Sequence, residues 1–281
     1  MRQLLFSLKI LNSEKLEKHF ERLRQAVENV TAVEAAELFL SPHIREDIFL
    51  EALREPGPSL WIVNRSDVSD KTLSFLHKHP LTQISSRAVE KFKNRQATIT
   101  QISEPILETP FQEVEDFLVE DVLGHPLCSW EAMIYFAKSL NEDVRSSACL
   151  SLTRRVWEHP RQSLDLPFVK EKLFAAFYSL AKEDSSPVVR AYAARIPIWE
   201  EKHVQDFAET ESNARVLSKW LQNEACSAEI INKIGSSKRG DPFLSRVVSL
   251  DSRLNQDLRK KLHSQTQDSF EKVIHEIYLG N

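Results

Sequence analysis

Arginine and tryptophan occur close together at two places in this sequence. Arg155 lies two residues before Trp157, and Arg195 lies four residues before Trp199. Both residue types are common anchors at protein interfaces, because each offers a large contact surface together with hydrogen-bond donors. The alternative is that the tryptophans pack at the ends of helices. The spacing leaves both interpretations open and makes Arg155, Trp157, Arg195 and Trp199 candidate partner-binding residues.

Three other arginines share one position at the predicted start of a helix: Arg45, Arg145 and Arg190. The last two belong to the pattern Val-Arg-x-x-Ala, in Val144–Ala148 and Val189–Ala193. A row of guanidinium groups could bind acidic peptides or phosphate groups. The alternative is structural, with each arginine pairing with an acidic residue of the adjacent helical pair. Arg145 and Arg190 are therefore further candidate partner-binding residues.

No motif in the sequence identifies an enzyme. The Gly-x-Ser-x-Gly nucleophile motif, the glycine-rich phosphate loop and the dinucleotide fingerprint are all missing. No two of the nine histidines have the i, i+4 spacing of a metalloprotease helix, and the three cysteines lack metal-ligand spacing. The cysteines are expected to be free thiols in a reducing compartment. We predict no catalytic residue, no metal and no cofactor, which favours a noncatalytic protein without excluding an enzyme.

The elements that must position these residues are expected to be pairs of helices. Ser129–Trp157 predicts two helices joined by a turn at Asn141–Asp143, with Ser129 as the first N-cap. Apolar residues recur at helical spacing on both sides of that turn. Thr31–Glu34 has the spacing of a capping box and begins an earlier helix. Pro56-Gly57-Pro58 is interpreted as the end of that helical pair.

The start of the second helix of each pair recurs along the chain. These starts lie near residues 44, 84, 144, 189 and 243, so the steps are 40, 60, 45 and 54. Helical repeats of the HEAT class have a period of roughly 40–47 residues, so two steps fit and two indicate insertions. Only five glycines occur, against a usual share of roughly 7%, which disfavours sheets and tight hairpins.

The Val-Arg-x-x-Ala element after an Asp-containing turn resembles HEAT-like repeats. The hairpin Ser69–Phe92, with a cap-Leu-x-x-Leu start and a His-Pro turn, is similar to the leucine-rich repeat variant family. The resemblance covers about Thr31–Ile277 and implies an all-α fold, a right-handed α-solenoid superhelix of stacked antiparallel helix pairs. The iron–sulfur cluster of some repeat-variant proteins is not implied here, because the cysteines are not clustered.

The predicted organisation is one continuous solenoid. Residues 1–30 form an N-terminal capping helix, 31–95 the first two helical repeats, and 125–281 the remaining repeats and a C-terminal cap. Residues 96–124 form an insertion or connector that holds seven acidic residues and no lysine or arginine. This segment could contact a basic partner, or it could be a solvated linker.

These features favour a scaffold that binds another protein or a peptide on its concave face. A net charge of −4 and a pI of about 6.2 disfavour nucleic acid, which usually binds a basic surface. No apolar run approaches the roughly 18 residues of a membrane span, and no secretory signal is recognised, so we predict no membrane partner and a cytoplasmic location.

An alternative is an enzyme or another nucleic-acid-binding protein. Asn141–Arg155 resembles one helix pair of the HEAT-like alkylpurine DNA glycosylases, which use tryptophans and an aspartate in a basic groove. Asp116 or Asp121 would have to supply that aspartate from an acidic stretch. The missing basic charge counts against this alternative.

Overall fold

The computed structural model describes residues 16–54, 56–65, 68–96, 114, 119–124, 128–158, 167–237 and 240–280. Every regular element within these residues is a helix, so the predicted all-α class is confirmed. In chain order the helices are α1 (16–28), α2 (Ala32–Leu38), α3 (Glu46–Ala52), α4 (Pro56–Asn64), α5 (Asp70–His77), α6 (Thr82–Gln96), α7 (Val119–Gly124), α8 (Trp130–Phe136), α9 (Glu142–Glu158), α10 (Pro167–Glu183), α11 (Pro187–Ala194), α12 (Glu201–Thr210), α13 (Ala214–Gln222), α14 (Ala228–Ser237), α15 (Pro242–Leu250), α16 (Gln256–Gln265) and α17 (Ser269–Leu279). None of these helices combines the length and the apolar composition that a membrane crossing requires.

The chain divides into two compact units. Unit 1 comprises Met1–Arg65, Lys71–Glu90 and Ser227–Asn281, and unit 2 comprises Ser66–Asp70 and Lys91–Cys226. Unit 1 is therefore discontinuous in sequence. The predicted boundaries at 30, 95 and 124 concern repeats rather than compact units and stay predictions, and most of the acidic segment lies outside the described residues.

Unit 1 brings helices from both ends of the chain into contact. In the helix pair α1 and α17, Arg22 Nη1 lies 2.5 Å from Glu276 Oε2. The backbone N–H of Ser252 donates to the carbonyl of His43 at 3.0 Å. Helix α1, which the sequence predicts as an N-terminal cap, thus contacts the last described helix of the chain.

The core of unit 1 is built around a chain of buried phenylalanine rings. Phe39 lies edge-on to Phe49 at 6.1 Å between ring centroids and edge-on to Phe270 at 6.3 Å. Phe49 in turn contacts Phe75 at 5.0 Å. Rings offset in this way gain favourable quadrupole contacts in addition to their apolar burial. Because Phe270 comes from α17, the core that holds α2 and α3 is completed by the C-terminal segment.

Unit 2 is built from helices that pack on the next-but-one helix along the chain. Helix α7 packs on α9, α9 on α11 and α11 on α13, while α8 packs on α10. Its core includes Leu152, Phe177 and Trp220, all with almost no exposed surface. This alternation is the packing that a row of helical hairpins produces.

Helix starts follow the capping chemistry of the sequence. Thr31 Oγ1 accepts from the Glu34 N–H at 3.2 Å, and Ser129 Oγ accepts from the Ala132 N–H at 3.1 Å, so both predicted N-caps are confirmed. The interpretation of Pro56-Gly57-Pro58 as the end of a helical pair is wrong. Helix α4 begins at Pro56. Proline is well suited to the first turn of a helix, because backbone N–H groups there have no partner within the helix and the φ angle of proline is already close to the helical value.

Candidate functional site

The Val-Arg-x-x-Ala arginines lie between successive helical pairs of unit 2. Arg145 Nε lies 2.6 Å from Asp184 Oδ2, and Arg190 Nε lies 3.0 Å from Glu211 Oε2. Each acid belongs to the loop that precedes the next second helix, α11 or α13. The hydrogen bond to Asp184 is the main cause that raises the pKa of the Arg145 guanidinium. These arginines therefore form the contacts that the structural alternative predicts.

Each of these arginines also binds the turn before its own helix. Arg145 Nη1 donates to the carbonyls of Ser139 and Leu140, both at 3.0 Å. Arg190 Nη1 donates to the carbonyl of Asp184 at 2.7 Å. Each of these arginines thus binds two loops: the loop before its own helix and the loop before the next second helix.

Arg45, at the equivalent position of α3, has a different environment in unit 1. Its Nη2 lies 2.5 Å from Asp47 Oδ2, on its own helix. Its guanidinium carbon lies 5.1 Å from the ring centroid of Tyr278, a distance typical of a cation–π contact. Arg45 therefore links α3 to the C-terminal helix rather than to the following helical pair.

Arg155 contacts a tryptophan, but not by the predicted pairing. Its guanidinium carbon lies 4.0 Å from the ring centroid of Trp130, and Nη1 donates to the carbonyl of Cys128. Burial lowers the pKa of Arg155, against an opposing effect of Cys128. Trp157 is part of α9, but its side chain lies outside the described residues. The sequence feature that could have identified Trp130 is its position directly after the predicted N-cap Ser129.

Trp199 lies in a buried aromatic cluster of unit 2 and is only 6% exposed. Its indole Nε1 donates to the carbonyl of Ala193 at 2.9 Å. Its ring lies 5.5 Å from Phe174 and 5.6 Å from Trp220. Arg195 is the C-cap of α11 and is half-buried. This arrangement holds α11 against α12 and α13, and a role of either residue in partner binding stays a prediction.

The three cysteines are all buried and free, as the sequence predicts. Burial raises the pKa of Cys128 to about 11, although Arg155 and Arg154 act in the opposite direction. Burial also raises the pKa of Cys149 strongly. A nucleophilic cysteine needs a thiolate and access to substrate, and Cys128 and Cys149 offer neither.

A serine–histidine contact occurs in the interior of unit 1. Ser249 Oγ lies 3.2 Å from His275 Nε2, and Arg259 Nη1 lies 3.3 Å from His275 Nδ1. All three side chains are buried, and Arg259 also donates to the carbonyls of Ser249 and Asp251, at 2.7 and 2.5 Å. A catalytic serine must be reached by a substrate. This network instead joins α15, α16 and α17.

An exposed apolar patch lies on unit 1 where α2 packs against α4. Trp61 is 54% exposed and Val33 is 49% exposed, although most other apolar side chains of the two helices are buried. We call these two residues the α2–α4 patch. Tryptophan is enriched among residues that dominate binding energy at protein interfaces. Trp61 was not among the predicted binding residues, because Pro56-Gly57-Pro58 indicated the end of a helical pair.

Two contacts define where Trp61 lies on α4. One turn before it, Gly57 faces α2, and a β-carbon at position 57 would lie 3.6 Å from the Ala32 Cβ. One turn after it, Arg65 forms an ion pair with Glu37 of α2. Residues four apart lie on the same face of a helix, so Trp61 lies on the flank of α4 that faces α2.

Val33 lies on the matching flank of α2. It precedes Glu37 by one turn and directly follows Ala32. Both Glu37 and Ala32 lie against the α4 segment. Val33 and Trp61 are therefore both assigned to the flanks along which α2 and α4 meet.

The arginines around the α2–α4 patch are paired. Arg65 binds Glu37, and Arg246 Nη1 lies 2.5 Å from Oε1 of Glu34, the neighbour of Val33. Paired charges leave little attraction for phosphate groups. The patch therefore combines an exposed indole with neutralised surroundings, which suits an apolar group of a partner.

No protein-family model, no curated protein and no solved structure matches this chain significantly.

Proposed function

We propose that this chain is a noncatalytic helical-repeat scaffold that binds a peptide segment of another protein. The segment inserts an apolar side chain between α2 and α4, against Val33 and Trp61. The observation that carries the proposal is the 54% exposure of Trp61 beside ion pairs that neutralise the neighbouring arginines. Tryptophan is enriched among the residues that dominate binding energy at protein interfaces, which supports a partner at this position.

A HEAT-like or leucine-rich repeat variant architecture, arranged as a right-handed α-solenoid, is part of this proposal. It is supported by the way α7, α9, α11 and α13 pack in succession in unit 2. The arginine–carboxylate pairs Arg145–Asp184 and Arg190–Glu211 support it as well, because they repeat one contact between successive helical pairs. Cytoplasmic residence belongs to the same proposal, since three free thiols fit a reducing compartment.

The proposal is tested by comparing the full chain with its Trp61→Ala variant. Each protein is immobilised and incubated with native lysate, and the captured proteins are quantified. We expect a stoichiometric partner that the wild type captures and the variant loses, with affinity at least about 30-fold lower. That ratio corresponds to the roughly 2 kcal/mol that truncation of an interface tryptophan costs.

A matched control is Leu140→Ala, which truncates a fully exposed apolar side chain in unit 2. This variant should retain the partner, and circular dichroism should show that both variants are folded. Retention of every partner by Trp61→Ala would contradict the proposal. Tight DNA binding that weakens steeply with salt would instead favour the nucleic-acid alternative.

A further inference from the structure

The interior of unit 1 holds one histidine in its neutral form. His275 of α17 has no exposed surface. Its Nδ1 lies 3.3 Å from Nη1 of Arg259, and its Nε2 lies 3.2 Å from Oγ of Ser249. A guanidinium can only donate hydrogen bonds, so Nδ1 must be the accepting nitrogen and carries no proton. The ring proton is therefore on Nε2, which donates to Ser249 Oγ.

The hydrogen bonds continue from His275 into α15. Ser249 Oγ accepts from His275 Nε2 and donates to the carbonyl of Ser245 at 2.9 Å. Each hydrogen therefore has its own acceptor along the series Arg259, His275, Ser249 and Ser245. A second proton on the ring would have to bind at Nδ1, where it would face an N–H of Arg259 and break that hydrogen bond.

Arg259 makes a positive charge on His275 unfavourable. Its guanidinium is completely buried, and the guanidinium carbon lies 4.0 Å from the ring centroid of Tyr278. Among the described residues no carboxylate forms an ion pair with it: Arg259 binds the backbone carbonyl of Asp251, whose carboxylate lies 2.7 Å from Arg253. Burial lowers the pKa of Arg259 to about 10, with Tyr278 and Asp251 acting in the opposite direction, so the guanidinium stays charged at neutral and acid pH. A second cation at hydrogen-bond distance would be strongly repelled.

Two more cationic or titratable groups near the ring act in the same direction. His263 of α16 lies edge-on to the His275 ring, with 6.5 Å between the centroids, and can only add positive charge. The Arg45 guanidinium repels that of Arg259 and lowers its pKa further. Glu271, one turn before His275 on α17, is buried, and burial raises its pKa. Glu271 therefore offers less negative charge to this region in acid, while the cations oppose protonation of His275.

Glu276, the neighbour of His275 in sequence, responds to acid with the opposite sign. Its Oε2 lies 2.5 Å from Nη1 of Arg22, and its carboxylate also faces His19 and His263 at 3.5 and 3.6 Å. A proton on either of these histidines strengthens its contact with Glu276 and thus the hold on α17. The effect of His275 is therefore measured as a difference between two proteins that both keep Glu276 and its partners.

We propose that His275 makes α17 acid-sensitive, because protonation of its ring releases α17 from α15 and α16. The closed form excludes the second ring proton, whereas an opened α17 binds it below about pH 6.5, the ordinary value for histidine. Because the open form binds more protons, the closed form is most stable above that pH and loses stability as the pH falls. Opening separates Phe270 from Phe39, whose rings lie 6.3 Å apart in the core of unit 1. This inference does not depend on the peptide binding proposed for the α2–α4 patch.

The test is hydrogen exchange of the full chain, followed by mass spectrometry between about pH 7.5 and about pH 5 and corrected for the pH dependence of intrinsic exchange. Wild type is compared with His275→Gln, because a glutamine amide can accept from Arg259 and donate to Ser249 but does not titrate. Over this range we expect the opening constant of α17 in the wild type to rise about 30-fold relative to the variant. That factor corresponds to one extra proton on the open form.

Two controls assign the response to His275. Peptides of α9, in unit 2, should exchange alike in wild type and His275→Gln at every pH. His263→Gln removes the neighbouring histidine but keeps the contact between Arg259 and His275, so it should retain the acid-dependent opening of α17. Loss of that opening in His263→Gln would assign the response to His263 and overturn the proposal.

The ring ¹⁵N signals of His275 in the wild type keep the proposal testable if His275→Gln does not fold. The folded protein should show the neutral ring with its proton on Nε2 at about pH 7.5, and no protonated ring at about pH 5.5. A protonated His275 ring in protein whose α17 is still protected from exchange would overturn the proposal. The same pH dependence of α17 opening in wild type and His275→Gln would overturn it as well.

Discussion

Arg246 and Glu34 are 212 residues apart in the sequence and form an ion pair in unit 1, with Nη1 of Arg246 2.5 Å from Oε1 of Glu34. The same guanidinium reaches Asp268, the N-cap of α17, with Nη2 2.7 Å from Oδ2. A single side chain of α15 therefore joins α2 to the start of α17. The pKa of Asp268 reflects this contact: burial acts to raise it, but Arg246 and two backbone N–H groups lower it overall.

Replacing Arg246 should destabilise unit 1. The variant Arg246→Met keeps the length of the side chain but leaves two carboxylates without their cation in a site where Arg246 is only 20% exposed. We expect the free energy of unfolding to fall by about 2 kcal/mol, between the effects typical of exposed and of fully buried pairs. Urea unfolding followed by circular dichroism measures it.

The control for that variant is Arg54→Met. Arg54 is 49% exposed and forms an ion pair with Glu51, three residues before it in the sequence. Its loss should change the free energy of unfolding by no more than about 0.5 kcal/mol. Equal effects of the two variants would show that the Arg246 ion pairs do not hold α2 and α17 together.

The Arg190–Glu211 pair should make unit 2 less stable in acid. Burial acts to raise the pKa of Glu211, but hydrogen bonds from Arg190 and from backbone N–H groups lower it overall. A group whose pKa is lower in the folded state contributes stability above its unfolded pKa, about 4.3 for glutamate, and loses that contribution as the pH falls through the folded pKa. Wild type should therefore be more stable than Glu211→Gln at neutral pH.

The stability difference between wild type and Glu211→Gln is the quantity to measure. It should be constant above about pH 5.5 and should shrink as the pH falls below about 4.3. Glu224→Gln, at an exposed position after α13, controls for the loss of a surface charge. A wild-type advantage that stays the same down to pH 3 would contradict the role assigned to Arg190–Glu211.

Truncation of Trp199 should destabilise the protein much more than truncation of Trp61. Trp199→Ala removes a buried ring from the cluster with Phe174 and Trp220, and such truncations cost about 3–5 kcal/mol. Trp61→Ala removes a side chain that is more than half exposed and should cost about 1 kcal/mol or less. Thermal and urea unfolding of both variants check this contrast. A strongly destabilised Trp61→Ala would indicate that Trp61 is a packing residue.

Gly235 marks a close contact between helices of unit 1. A β-carbon at this position would lie 2.9 Å from Val248 Cγ1, which is closer than van der Waals contact allows. Overpacking costs about 1–3 kcal/mol, and part of it is offset because alanine favours a helix by about 1 kcal/mol over glycine. Gly235→Ala should therefore lower the free energy of unfolding by up to about 2 kcal/mol, measured by urea unfolding.

Two further variants test that explanation. Gly240→Ala should have little effect, because nothing lies within 4 Å of a β-carbon there. In a Val248→Ala background the clash is absent, so Gly235→Ala should be neutral or stabilising. The same loss in both backgrounds would show that Val248 is not the cause.

Local chemistry predicted several helix starts correctly. The caps at Thr31 and Ser129 could be identified because a serine or threonine oxygen accepts from the first turn of a helix wherever the chain allows it. Ser227 accepts from the Ile230 N–H at 3.4 Å in the same way. The cap of α13 is Asn213, whose side chain accepts from the N–H groups of Arg215 and Val216, although Ser212 directly before it is also a residue type that can cap a helix.

Other elements could not be predicted because local signals pointed elsewhere. Pro-Gly-Pro at 56–58 is typical of a turn, but these residues form the start of a helix that continues through the apolar run Leu60–Val63. Trp61 was missed with that helix. The acidic partners of Arg145 and Arg190 lie 39 and 21 residues further along the chain, and only the packing of successive pairs selects them.

The contacts between the two ends of the chain have a consequence for biosynthesis. The ribosome synthesises α1, α2 and α3 long before residues 227–281. Phe39 therefore lacks its contact with Phe270 while the whole of unit 2 is translated. During that interval the nascent N-terminal segment exposes apolar rings that aggregate readily or recruit chaperones. A polypeptide that terminates early, anywhere before α17, would therefore leave its oldest helices without their covering partner.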